Sequence, residues 1–68
     1  MKRWRTKKPL AARLGGSTTW LSIEAGVELD EIPAGTDSPE ETRVAPQGSL
    51  ESYIVKISEL GDSAQLLP

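Results

Sequence analysis

Two groups of side chains in this 68-residue chain are of types that could do chemistry: closely spaced carboxylates, and cations gathered around a tryptophan. The carboxylates are Glu28, Asp30 and Glu31, then Glu40 and Glu41. Acid–base hydrolysis needs two carboxyls converging across a cleft, one of them kept protonated by burial. A strand sends alternate side chains to opposite faces, so Glu28 and Asp30 share one outward face. That placement suits solubility or weak divalent-cation contact, not catalysis. No Asp-x-Asp-x-Asp-Gly loop is present for calcium. The chain has no His and no Cys, so it lacks the commonest general base, the commonest metal ligand and any thiolate. Ser and Thr are plentiful, but no His activates them and no Gly-x-Ser-x-Gly elbow exposes one. Gly15-Gly16 lacks the Lys-Ser/Thr continuation and the helix that a phosphate loop needs. The expectation is a non-enzymatic protein with no cofactor and no metal.

The cations are distributed unevenly. Six of the eight Lys and Arg (Lys2, Arg3, Arg5, Lys7, Lys8 and Arg13) fall in residues 1–13, which hold no acid. Residues 14–68 hold Arg43 and Lys56 against all ten Asp and Glu. A basic segment of this kind can neutralise phosphates while Trp4 stacks on a base. The competing reading is self-complementation, in which a basic strand lies beside acidic ones and relieves their repulsion. The net charge of −2 is far from that of a basic nucleic-acid-binding domain.

The elements that must carry these residues are short. One domain spanning 1–68 is expected, and a chain of this size buries only about 60% of the surface its unfolded form exposes. Residues 1–8 read as a basic N-terminal arm or first strand. Leu10, Ala12 and Leu14 alternate with Ala11 and Arg13 in a strand pattern, with Pro9 at its start and Gly15-Gly16 as a tight turn. Thr18 to Glu24 reads as a strand with Leu21 and Ile23 inward and Trp20, Ser22 and Glu24 outward. Ala25-Gly26 permits a bend, and Val27 to Ile32 follows with Val27 and Leu29 inward. Residues 33–42 read as a polar acidic loop in which Ser38-Pro39-Glu40-Glu41 could start one helical turn.

Arg43-Val44-Ala45 is a short strand, and Pro46-Gln47-Gly48 a turn. Residues 49–60 fit two templates. A period of two puts Tyr53, Val55 and Ile57 on one face, whereas a period of 3.6 aligns Leu50, Tyr53, Ile54, Ile57 and Leu60. The β-branched run Tyr-Ile-Val-Lys-Ile favours strand. A turn at Gly61-Asp62 and a closing strand at Ala64–Leu67 complete the chain. The expected fold is all-β, a small barrel of five to six short antiparallel strands with a 3-10 turn before the last.

This order of elements resembles an SH3-like barrel. The bent ribbon from Trp20 to Ile32, the hairpin through Gly48 and the Glu59-Leu60-Gly61-Asp62 turn carry the likeness. The segments Ser22-Ile23-Glu24-Ala25-Gly26-Val27-Glu28-Leu29 and Tyr53-Ile54-Val55-Lys56-Ile57-Ser58-Glu59-Leu60 are similar to those of short bacterial and phage-borne proteins. The resemblance implies an interaction chassis, such as an accessory protein of a phage or mobile element. The proline-peptide groove of eukaryotic SH3 domains needs an aromatic shelf, and Trp4, Trp20 and Tyr53 do not supply one.

The expected function is therefore a protein-interaction module, with Lys2, Arg3, Trp4, Arg5, Lys7, Lys8 and Trp20 as partner-binding residues. The alternative is a nucleic-acid-binding barrel that uses the basic arm. No apolar run approaches the roughly 20 residues of a membrane span. The stretch after the basic start is too short and too interrupted by Arg13 for a signal sequence, so a cytoplasmic location is expected.

Overall fold

A computed structural model describes residues 2–32 and 38–68. The first break in the backbone falls at Pro9, which has no N–H to give a ladder. It divides the basic start into β1 (Lys2–Thr6) and β2 (Leu10–Leu14). Between them the Lys7 and Lys8 N–H groups both donate to the Ser63 carbonyl. Gly16, at a φ of 81°, turns the chain toward β3 (Leu21–Ile23). Positive φ costs glycine little, which is why the turn falls there. Gly26, at a φ of 85°, bends it again into β4 (Glu28–Ile32). Then come β5 (Glu41–Pro46), β6 (Tyr53–Lys56), α1 (Ile57–Ser63) and β7 (Ala64–Leu66).

The strands form one antiparallel sheet in the order β3-β2-β6-β5-β4-β1-β7. All-β is thus correct in outline, but three expectations need correction. The described residues hold seven strands, not five to six, because the basic start, read as an arm or first strand, pairs as β1 with both β4 and β7. No ladder joins β3 to β7, so the sheet is open rather than a closed barrel. Each terminal strand has only three residues, and α1 packs against the core beside β7, β2 and β6.

The third correction concerns the turn before the last strand, which is a seven-residue α-helix containing Gly61 and Asp62. That length exceeds the three or four residues a 3-10 segment usually sustains. Gly61 costs about 1 kcal/mol relative to Ala. Leu60, only 1% exposed, returns about 1.5–3 kcal/mol by burial, so packing wins over propensity. The same contact settles residues 49–60. Tyr53–Lys56 is strand, Ile57 onward is helix, and Leu50 is fully exposed. Elsewhere the expected strand over Thr18–Glu24 shrinks to Leu21–Ile23, and that over 64–67 to Ala64–Leu66.

Part of the expected 33–42 loop, residues 33–37, lies outside the described residues. Ser38–Glu40 is a turn, in which the Ser38 hydroxyl accepts from the Glu40 N–H at 3.2 Å. The chain is already strand at Glu41, so no helical turn forms there.

One cluster of Leu10, Ala12, Ile23, Leu29, Val44, Val55, Leu60 and Ala64 makes the core, with Trp4, Val27 and Tyr53 packed against it. Residues from β2 to β7 meet in this cluster, so the open sheet must curl around it. The opposite face of the sheet has a smaller apolar centre at Ile54, 5% exposed. Its register neighbours are Arg13 and Arg43, whose alkyl stems can cover it while their charged ends reach water.

Candidate functional site

β1 lies antiparallel to β4 with Lys2 opposite Glu31, Arg3 opposite Asp30, Trp4 opposite Leu29 and Arg5 opposite Glu28. Every cation of the strand therefore faces an acid. Arg3 Nε meets Asp30 Oδ1 at 3.0 Å, and Arg5 Nη2 lies 3.9 Å from Glu28 Oε2. Each such exposed pair contributes about 0.2–1 kcal/mol, enough to relieve repulsion but not to fix the fold. Trp4 is half-buried against the core, and its indole Nε1 donates to Glu31 Oε1 at 2.9 Å. Thr42 donates to the other Glu31 oxygen at 3.0 Å. Arg3 and Arg5 thus lie against Asp30 and Glu28 of the acidic body, the arrangement the self-complementation reading describes. Trp4 points inward, the two arginines turn to β4, and Lys2, Lys7 and Lys8 remain exposed. A shallow surface hollow of about 380 Å³ lies beside Lys2 and Arg3, but Asp30 shares its wall with them, so its charge is mixed.

Trp20 occupies a different place. It immediately precedes Leu21, which is in register with Ala12. Trp20 is therefore on the opposite face, with Ala11 and Arg13 of β2 and Lys56 of β6. The Arg13 guanidinium carbon lies 5.9 Å from the indole centroid and the Lys56 ammonium 5.6 Å. Each cation–π contact contributes about 0.5–1 kcal/mol at an exposed site. Arg13 is itself held: its Nη2 donates to both Glu41 oxygens, at 3.0 and 3.1 Å, and its Nη1 to the Ser17 carbonyl at 3.4 Å.

Trp20 is 44% exposed, flanked by one hollow of about 190 Å³ against Ala11, Lys56 and Glu59 and another of about 440 Å³ along Arg13 and Gly16–Thr18. Leu21 and Ile57 are also exposed, at 46% and 48%, with Leu21 on the other face of β3. This arrangement offers a broad aromatic plane with fixed cations.

Of the residues expected to bind a partner, Trp20 alone stands at this face. Arg13 and Lys56 join it, and no sequence signal marked them as its neighbours. Arg13 and Lys56 meet only because β2 and β6 are neighbours in the sheet, a pairing between segments distant along the chain.

The carboxylates singled out by spacing do not converge. Glu28 and Asp30 pair with arginines, Glu31 with Trp4 and Thr42, and Glu41 with Arg13. Among the described residues no three His, Cys, Asp or Glu come close enough to hold a metal ion. Tyr53 donates its hydroxyl to Glu51 Oε2 at 3.1 Å. That hydrogen bond, then burial, then the Glu51 charge raise its pKa above the usual 10.0. No helix among the described residues is long and apolar enough to cross a membrane. Comparison with protein-family models, with curated proteins and with solved structures found no match, so the site has to be read from its own geometry.

Proposed function

We propose that this chain is a non-enzymatic protein-interaction module on an SH3-like scaffold, and that its contact surface is the Trp20 face. The scaffold reading is supported by the neighbours of β1, which are β4 and β7, by the long β2–β3 excursion before β4, and by the helical turn before the last strand. The contact reading rests on one observation. A half-exposed tryptophan is held between two cations, one of them locked by a carboxylate. Tryptophan is enriched among residues that dominate interface energetics, and immobilising it beforehand lowers the entropic cost of docking. The direction of Arg3 and Arg5 toward β4 favours this reading over a nucleic-acid arm, since charge spent on a neighbouring strand is not available to phosphates.

The test is affinity capture from the native host with three baits. The wild type is expected to retain a protein that Trp20→Ala loses, by about tenfold or more, as for a contact worth at least 1.4 kcal/mol. A double Arg3→Gln, Arg5→Gln bait is expected to retain it. Capture that survives Trp20→Ala and fails with the arginine variant would overturn the assignment.

A further inference from the structure

Natural proteins blunt the exposed edges of sheets with lysine, proline or a covering element. The two ends of this sheet differ in that respect. At β7 the Ala64 N–H is already committed to the Leu60 carbonyl at the end of α1, and Pro68 closes the segment. At β3 there is no such guard. No described strand pairs with its outer edge, and residues 17–23 contain no charge and no proline. On its two faces stand Trp20 and Leu21, both nearly half exposed.

We infer that β3 pairs with β3 of a second copy of this chain, in a two-fold antiparallel ladder that makes the two sheets continuous. This deepens the reading of the Trp20 face and rests on it. A two-fold contact presents the same patch on both copies, so the patch must be complementary to itself. With Ser22 opposite Ser22, the ladder sets Leu21 opposite Ile23 and Trp20 opposite Glu24. Residues directly opposite in an antiparallel ladder point to the same face. Glu24 of the second copy then arrives on the face where Arg13 and Lys56 flank the indole. Glu24 is the first charged residue after Arg13, it is exposed, and its own copy does not face it in this register. The contact thus brings each Glu24 to a face that carries Arg13, already paired with Glu41, and Lys56, beside Glu59. Main-chain hydrogen bonds would supply the attraction and Glu24 the register.

Light scattering on the eluting full chain, across a dilution series, tests this. The wild type is expected to read twice the 7.4 kDa chain mass. Glu24→Lys is expected to read the single-chain mass with its circular dichroism unchanged. The swap Glu24→Lys with Lys56→Glu is expected to recover the double mass. A wild type that stays at the single-chain mass throughout, or a Glu24→Lys protein that remains double, would overturn the inference. If the wild type is single while Trp20-dependent capture persists, this inference alone falls. If both are lost, the reading beneath it falls as well.

Discussion

Glu41→Ala is expected to destabilise the protein by about 2–4 kcal/mol, the loss associated with stripping the partner from a mostly buried charge. The Arg13 side chain is 19% exposed and that of Glu41 14%, so neither end has much water to fall back on. Without the carboxylate, Arg13 keeps only the 3.4 Å contact of Nη1 with the Ser17 carbonyl among its hydrogen bonds. A domain of this length has a total stability of roughly 3–10 kcal/mol, so the variant sits near the edge of unfolding.

The paired replacement Arg13→Met with Glu41→Leu separates the ion pair from the fold it serves. Removing both charges together is often neutral, because no ion is left buried alone. Equilibrium urea denaturation of the two single variants and the pair measures the coupling directly. The paired variant should be more stable than Glu41→Ala yet should weaken partner capture, since Arg13 also sits against the Trp20 ring. A loss in the paired variant equal to the sum of the two single losses would show that the pair contributes nothing specific.

Thr6→Val is expected to cost about 2–3 kcal/mol, although valine nearly matches threonine in shape. Thr6 is 2% exposed and binds the Ala25-Gly26 bend at every polar atom it has. Its N–H donates to the Val27 carbonyl at 2.9 Å, and its carbonyl accepts from the Gly26 N–H at 2.8 Å. Its hydroxyl donates to the Glu24 carbonyl at 2.7 Å and accepts from the Val27 N–H at 2.9 Å. Valine leaves a carbonyl and an N–H of the bend without these partners, and an unsatisfied buried group costs more than a hydrogen bond gains. Thr6→Ser keeps the hydroxyl and removes one methyl, so about 1 kcal/mol is expected there. In a thermal melt the valine variant should fall by roughly 8–20 °C and the serine variant by much less. Similar shifts for the two would show that the methyl, not the hydroxyl, matters. The bend also delivers Glu24 to the end of β3, so this one threonine links the stability of the fold to the geometry of the contact edge.

Much of the fold was readable where it depends on neighbouring residues. The turns at Gly15-Gly16, Ala25-Gly26 and Pro46-Gln47-Gly48 follow from backbone freedom at glycine, and all three hold a glycine at positive φ. The inward positions Leu10, Ala12, Ile23 and Leu29 follow from alternation, and all four are buried. Leu21 was assigned to the same face yet is 46% exposed, because an edge strand has no outer neighbour to cover it.

What depends on distant residues was not readable. Residues 49–60 fit a strand and a helix equally in spacing, and the burial of Leu60 decides where one becomes the other. Ser38-Pro39-Glu40-Glu41 has a helix-start pattern, but Glu41 is taken into β5 opposite Lys56 and bonded to Arg13. Charge was legible as two outcomes, an arm for nucleic acid or a complement to the acidic body, and the register that sets Arg3 and Arg5 opposite Asp30 and Glu28 was not readable. At the candidate site Trp20 was visible by type, whereas Arg13 and Lys56 required the β2–β6 pairing.

The proposal at the centre of this account is that the β1 arginines are paired within the fold and that contact with other molecules belongs to the Trp20 face. Fluorescence anisotropy of labelled single- and double-stranded DNA, titrated with the full chain at low salt, tests it most directly. The account predicts no saturable rise with either probe. Saturable binding that weakens as salt increases, with a slope of about −0.9 per neutralised phosphate on the duplex, and that disappears in the Arg3→Gln, Arg5→Gln variant, would contradict it.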